Sequence, residues 1–286
     1  MKHKGKILGL IAVLLLALFA GRIGLFLTYK PAPEGSYMEF VYDTLGIEAA
    51  PVVERPVLPP KQLAWSFEGA LGQFDKAAAR RGLQVYREVC AVCHGLDRVA
   101  FRNLTEIGYS EDAALEIAQS YQIEDGPDDF GEMFMRAGRL SDYFPNPFRN
   151  ENEAKSMHGG KVPPDLSLMA KARADGPNYI YSLLTGYVDP PADFVPNAET
   201  TTYNPYFDSW EINMPPPLFD GGVEYADGTE ASVEQMSKDL VEFMMWTAEP
   251  NLDARHKMGF KVIIYMAVLT LLLFLSMRVI WRRVKK

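Results

Sequence analysis

The chain has 286 residues with 48% hydrophobic and 12% aromatic content, which excludes wholesale disorder. All 37 Asp and Glu lie between Glu34 and Asp253 with only 16 of the 29 Lys and Arg, so this body carries a net charge of −21, while the ends hold 13 basic residues and no acid. An acidic body of this kind repels nucleic acid and anionic lipid heads and attracts a basic protein or a cation. The two cysteines, Cys90 and Cys93, are too close together to clamp a long loop, and no further cysteine exists for a second bridge.

Lys2, Lys4 and Lys6 precede an apolar run from Ile7 to Phe19, followed by Ala20 and Gly21. Positive flank, apolar run and small residues in that order predict a secretory signal. The apolar character resumes from Ile23 to Leu27, so residues 1–30 fit a retained anchor equally well; both readings export the bulk of the chain. Residues 31–64 are rich in proline and read as a tether laid along a surface, with a short structured piece around Tyr37–Leu45.

Four stretches carry helical periodicity: Gln73–Val89, Glu111–Tyr121, Pro177–Gly186 and Val233–Thr247. In the first, Leu83, Tyr86, Cys90 and Cys93 share one face. Gly82 inside it costs about 1 kcal/mol against Ala, which predicts close packing against another helix. Ser232 with Gln235 three residues on predicts the start of the last helix, and the first helix is expected to pack across it. Gly221-Gly222 and Asp227-Gly228 bracket a predicted hairpin over Val223–Thr229.

Cys90-Ala91-Val92-Cys93-His94 is a C-x-x-C-H sequence, which in an exported chain reads as covalent haem c attachment. Two thiols one turn apart can each add to one porphyrin vinyl group, and the following imidazole then meets the iron from the same side. A thioredoxin-like C-x-x-C needs a βαβ frame, and none is visible. A zinc site needs two further ligands, and no cysteine remains to supply them. One motif predicts one haem.

The second axial position has several candidates: Met38, Met133, Met135, Met157, Met169, Met214, Met236, Met244, Met245 and His158. Met214 stands apart because Pro215-Pro216-Pro217 follows it, giving a stiff loop that holds a thioether at little ordering cost. Met244 and Met245 fall in an apolar helical pattern and read as core. A His/Met pair raises the reduction potential of iron and blocks oxygen chemistry, which points to outer-sphere electron transfer.

At the far end Val262–Met277 is unbroken apolar sequence. The 23 residues 259–281 span a bilayer core with some tilt. Arg278, Arg282, Arg283, Lys285 and Lys286 crowd one side, so the tail 282–286 is expected on the cytoplasmic face.

Beyond the haem motif, the sequence resembles the cytochrome c1 family, the haem subunits of the quinol–cytochrome c oxidoreductase (bc1 complex), in its bacterial type. The resemblance runs from about Trp65 to the C-terminus. It rests on Arg80-Arg81-Gly82-Leu83-Gln84-Val85-Tyr86, Gly131-Glu132-Met133-Phe134-Met135-Arg136, Leu140-Ser141-Asp142-Tyr143-Phe144-Pro145, Pro163-Pro164-Asp165-Leu166-Ser167, Ser182-Leu183-Leu184-Thr185-Gly186-Tyr187, Asn204-Pro205-Tyr206-Phe207 and Trp246-Thr247-Ala248-Glu249-Pro250.

The resemblance implies a mainly α, cytochrome c-like haem domain over residues 65–254, with long irregular loops and a C-terminal transmembrane helix. It implies thioethers from Cys90 and Cys93, axial bonds from His94 and Met214, an Arg173 partner for a haem propionate, and Tyr179 and Pro164 in the haem pocket. It also implies cytochrome b, a Rieske iron–sulfur protein, a basic cytochrome c and membrane lipid as partners, no nucleic acid, and a place in the bacterial cell membrane with the haem domain in the periplasm. Where the family often has Asn-Asn-Gly, this chain has His158-Gly159-Gly160. The competing readings are another membrane-anchored monohaem c-type carrier, told apart by its partners, and a haem-based ligand sensor, told apart by an open sixth site that binds carbon monoxide.

Overall fold

The computed structural model describes residues 57–196 and 201–284. The expected export segment, the piece around Tyr37–Leu45, Met38, Lys285 and Lys286 lie outside these.

The described chain is mainly helical. Helix α1 (Lys76–Glu88) begins at Asp75, whose carboxylate accepts from the Ala77 and Ala78 N–H groups. A short 3-10 turn (Cys90–Val92) and a longer one (Phe101–Ile107) follow. Then come α2 (Glu111–Gln119), capped by Ser110, and an antiparallel pair, β1 (Gln122–Asp125) with β2 (Phe134–Ala137). Three short helices come next: α3 (Glu151–Met157), α4 (Met169–Ala172) and α5 (Gly176–Leu184). A two-residue pair, β3 (Thr202–Tyr203) with β4 (Glu211–Ile212), precedes α6 (Val233–Ala248) and α7 (Leu252–Val284). The four periodic stretches thus become α1, α2, α5 and α6, each within a few residues of its expected ends. Ser232 caps α6 by accepting from the Gln235 N–H.

The core lies where α1 crosses α6. Leu83, Val85, Tyr86, Met236, Leu240, Val241 and Phe243 are buried there. Gly82 makes the crossing close: a Cβ at this position would stand 2.0 Å from the Asp239 carbonyl and 2.6 Å from the Phe243 Cβ. Beside it the Arg81 guanidinium grips the Asp239 carboxylate at 2.8 Å, and this carboxylate is only 1% exposed. Such a pair is strongly destabilising to break, because one charge is then left buried alone.

The hairpin expected over Val223–Thr229 does not form. Val223 and Tyr225 are buried as the alternation required, but against α1 rather than a partner strand. Gln84 donates to the Glu224 carbonyl at 2.9 Å, and the Arg81 guanidinium lies over the Tyr225 ring. The hairpin that does form, β1–β2, is tied by Arg136, which bonds the Asp125 carboxylate and reaches Asp142 at 2.6 Å.

Upstream of Trp65 the chain runs extended along α5. The Lys61 N–H donates to the Ser182 hydroxyl at 2.7 Å, and Asn178 Oδ1 accepts from the Leu63 N–H and the Trp65 indole. The Lys61 ammonium bonds the Thr185 hydroxyl and sits over the Tyr181 and Tyr206 rings. A cation there satisfies the carbonyl end of α5.

Helix α7 is 33 residues long and starts at Leu252, upstream of the Gly259 expected from hydropathy. Its first turn belongs to the globular body: Leu252 is buried, Asp253 accepts from the Phe74 N–H at 3.1 Å, and His256 Nδ1 donates to the Gly72 carbonyl at 2.7 Å. Beyond that, none of the described residues covers its apolar stretch. Among the described residues it is the one helix long and apolar enough to cross a membrane.

Candidate functional site

The C-x-x-C-H motif is built at the end of α1. The helix stops at Glu88, and the chain tightens into the Cys90–Val92 turn rather than continuing as α-helix. The Cys90 carbonyl accepts from both the Cys93 N–H (3.1 Å) and the His94 N–H (2.9 Å), closing the motif around one acceptor. The buried Tyr86 hydroxyl donates to the His94 carbonyl at 3.0 Å and pins the motif to the helix that leads into it.

His94 is oriented by the Pro-Pro-Asp-Leu-Ser segment. Its Nδ1 lies 2.7 Å from the Pro164 carbonyl. A carbonyl only accepts, so Nδ1 carries the proton and Nε2 presents a lone pair. Burial holds the imidazole below its ordinary pKa, with the Pro164 bond opposing. The ring is therefore neutral near pH 7, as a metal ligand must be. Asp165 and Ser167 secure the segment: the Asp165 carboxylate accepts from the Asp97 and Ser167 N–H groups, the Leu166 N–H donates to the Gly95 carbonyl, and the Arg98 N–H donates to the Ser167 hydroxyl. The resemblance implies Pro164 in the haem pocket but gives no role to Asp165, and the helical pattern puts Tyr86 on the face of the thiols without its bond to His94. The Pro-Pro-Asp-x-Ser turn chemistry was the available signal for Asp165.

Cys90 and Cys93 are both free. Burial pushes the Cys90 thiol up to about 12, so the site disfavours a charged sulfur and suits a neutral thioether. His158 stands against the second sulfur, with Nε2 3.4 Å from Cys93 Sγ, Nδ1 2.9 Å from the Ala154 carbonyl and the ring edge-on to Phe148.

A second cluster forms around α5 and the proline loop. Arg173 is exposed at the end of α4, and its charge opposes the upward push that burial exerts on the Tyr179 hydroxyl. Tyr179 neighbours Tyr187, and the Tyr187 hydroxyl donates to the Met214 carbonyl at 3.1 Å. Met214 is partly buried and packed against the core. The other sulfur candidates divide as their surroundings dictate: Met236, Met244 and Met245 are buried in α6, while Met133, Met135 and Met157 are exposed.

A haem fits this residue set. A neutral imidazole has one free nitrogen, two unbridged thiols sit in a turn closed on Cys90, and a partly buried methionine precedes three prolines.

Comparison with known proteins agrees. The Cytochrome C1 family model matches residues 65–284. Cytochrome c1 of Rhodospirillum rubrum is 46% identical over 236 residues, covering 77% of this chain and 87% of that protein. The mitochondrial cytochrome c1 haem protein of Saccharomyces cerevisiae is 44% identical over 243 residues, covering 85% and 78%. Cytochrome b/c1 of Bradyrhizobium diazoefficiens is 44% identical over 238 residues, which cover 76% of this chain and 35% of that longer protein. This chain belongs to the cytochrome c1 family, the haem electron-carrier subunits of the bc1 complex.

Proposed function

We propose that the chain binds one haem c covalently through Cys90 and Cys93, with His94 and Met214 as axial ligands and Arg173, Tyr179 and Pro164 around the macrocycle. We propose further that it is the electron-transfer subunit of a quinol–cytochrome c reductase, receiving electrons from a Rieske iron–sulfur protein, passing them to a basic cytochrome c, and associating with cytochrome b. In this reading residues 1–30 are an export signal or anchor and 31–64 a tether. Residues 65–254 are a periplasmic haem domain, 259–281 cross the cell membrane, and 282–286 form a cytoplasmic tail.

The observation that carries the reading is the His94–Pro164 bond at the end of a C-x-x-C-H turn, which fixes the tautomer and leaves the Nε2 lone pair for a metal. When bound, haem supplies a one-electron couple. The chain's own residues set its working conditions. The neutral imidazole and a soft thioether favour the ferrous state and raise the potential. Tyr86 and Asp165 keep the imidazole from reorienting between oxidation states. An Arg173 guanidinium offsets a propionate charge.

Denaturing electrophoresis with peroxidase staining tests the reading. The wild-type chain is expected to stain and a C90A/C93A variant to lose the stain. An unstained wild-type band would refute covalent attachment. A reduced-minus-oxidised spectrum of the same sample reports haem type and stoichiometry.

A further inference from the structure

The loop that carries Met214 has little means of holding itself. Pro215, Pro216 and Pro217 offer no N–H, and among the described residues no backbone–backbone hydrogen bond forms between Asn213 and Leu218. Its support comes from the end of α5. Asn204 is fully buried; its Nδ2 donates to the Leu183 carbonyl at 2.8 Å, its Oδ1 accepts from the Tyr206 N–H at 3.1 Å, and its N–H donates to the Trp210 carbonyl at 2.8 Å. Tyr206 in turn lies over Gly186, where a Cβ would come within 2.4 Å of the ring. The chain entering the ligand loop is therefore clamped to the last turn of α5. The next residue, Tyr187, reaches forward and donates its hydroxyl to the Met214 carbonyl itself.

We propose that Tyr187 is the positioning residue of the distal ligand. Its hydroxyl fixes the main chain of Met214, and so governs how readily the sulfur yields its place to an outside ligand. The inference rests on the Met214 ligation proposed above. The physical case is one of restraint. A methionine side chain has three rotatable bonds and adapts easily, so ligation is only as firm as the backbone that bears it. Prolines stiffen the stretch after Met214 but donate no hydrogen bond that would fix it, and the Tyr187 hydroxyl supplies a polar tie beside the core packing of Met214 and Leu218. Its ring packing and its hydrogen bond are separable, because phenylalanine keeps the first and loses the second.

The experiment uses detergent-solubilised, full-length, haem-loaded protein. Imidazole is titrated into the ferric form and carbon monoxide into the ferrous form, following the far-red sulfur-to-iron charge-transfer band and the midpoint potential. Y187F is expected to bind imidazole about two- to tenfold more tightly than wild type, the worth of one hydrogen bond, and to have a lower potential. M214A is expected to lack the band and to bind carbon monoxide freely. Wild-type imidazole affinity and potential in Y187F, alongside an open M214A, overturn the role of Tyr187 and leave Met214 as ligand. An M214A protein that keeps the band overturns the ligation itself, and this inference with it. If Y187F does not accumulate in loaded form, p-aminophenylalanine at position 187, which restores a donor, is expected to recover loading and wild-type imidazole affinity. Failure to recover both overturns the proposal.

Discussion

A single missing methyl group decides how closely the two principal helices approach. At Gly82 the Asp239 carbonyl occupies the space a side chain would need, and no flexible side-chain end is available there to yield. Gly82→Ala therefore gains about 1 kcal/mol of helix propensity and loses more through forced separation of the backbones. The expected result is destabilisation by about 1–3 kcal/mol, read as a lower thermal midpoint of the loaded protein. An unchanged or raised midpoint would show that the crossing can relax. The residues that hold His94 follow the same logic of contact at a distance. Cys90, Cys93 and His94 announce themselves through spacing. Tyr86 does not, because its partner is a carbonyl eight residues on, and the turn chemistry that marks Asp165 does not disclose its reach to an N–H sixty-eight residues back. No local pattern encodes bonds of that kind.

Among the elements, those with one apolar face and a capping residue were legible. Asp75, Ser110 and Ser232 each satisfy N–H groups that their helices leave free, and the intervening periodicity sets the length. The strands were not legible, since neither β1 nor β2 contains a buried residue and both are four residues long. Their pairing depends on Arg136, which holds both the Asp125 and Asp142 carboxyls below their ordinary value of 3.8, chiefly through the side-chain hydrogen bonds it donates to them. Because the folded-state values are depressed, this stabilisation is complete above the ordinary carboxylate range and is lost as pH falls through the lowered values. Amide exchange in Gln122–Ala137 should therefore accelerate below about pH 4 while α1 and α6 stay protected. Asp142→Asn should show faster exchange in the hairpin already at neutral pH. Equal protection of hairpin and helices throughout an acid titration would rule out this role for the pair.

For the molecule as a whole, the charge of −21 between Glu34 and Asp253 bears on the encounter proposed with a basic cytochrome c. Association with a basic cytochrome c should be steered and should slow as salt screens the field, whose reach shrinks from about 10 Å at 0.1 M to about 3 Å at 1 M. The second-order rate of cytochrome c reduction is expected to fall steeply over that range, and a flat profile would remove the acidic surface from the docking step.

The manner in which α7 leaves the body bears on this traffic. Asp253 and His256 are fastened to residues before α1, and the helix then runs on without interruption through Val284, a length of about 50 Å. Among the described residues there is thus no coil between the globular body and this apolar helix at which to pivot. On the proposed function, the electron relay is bolted to its post, and the searching would fall to the partners proposed for it.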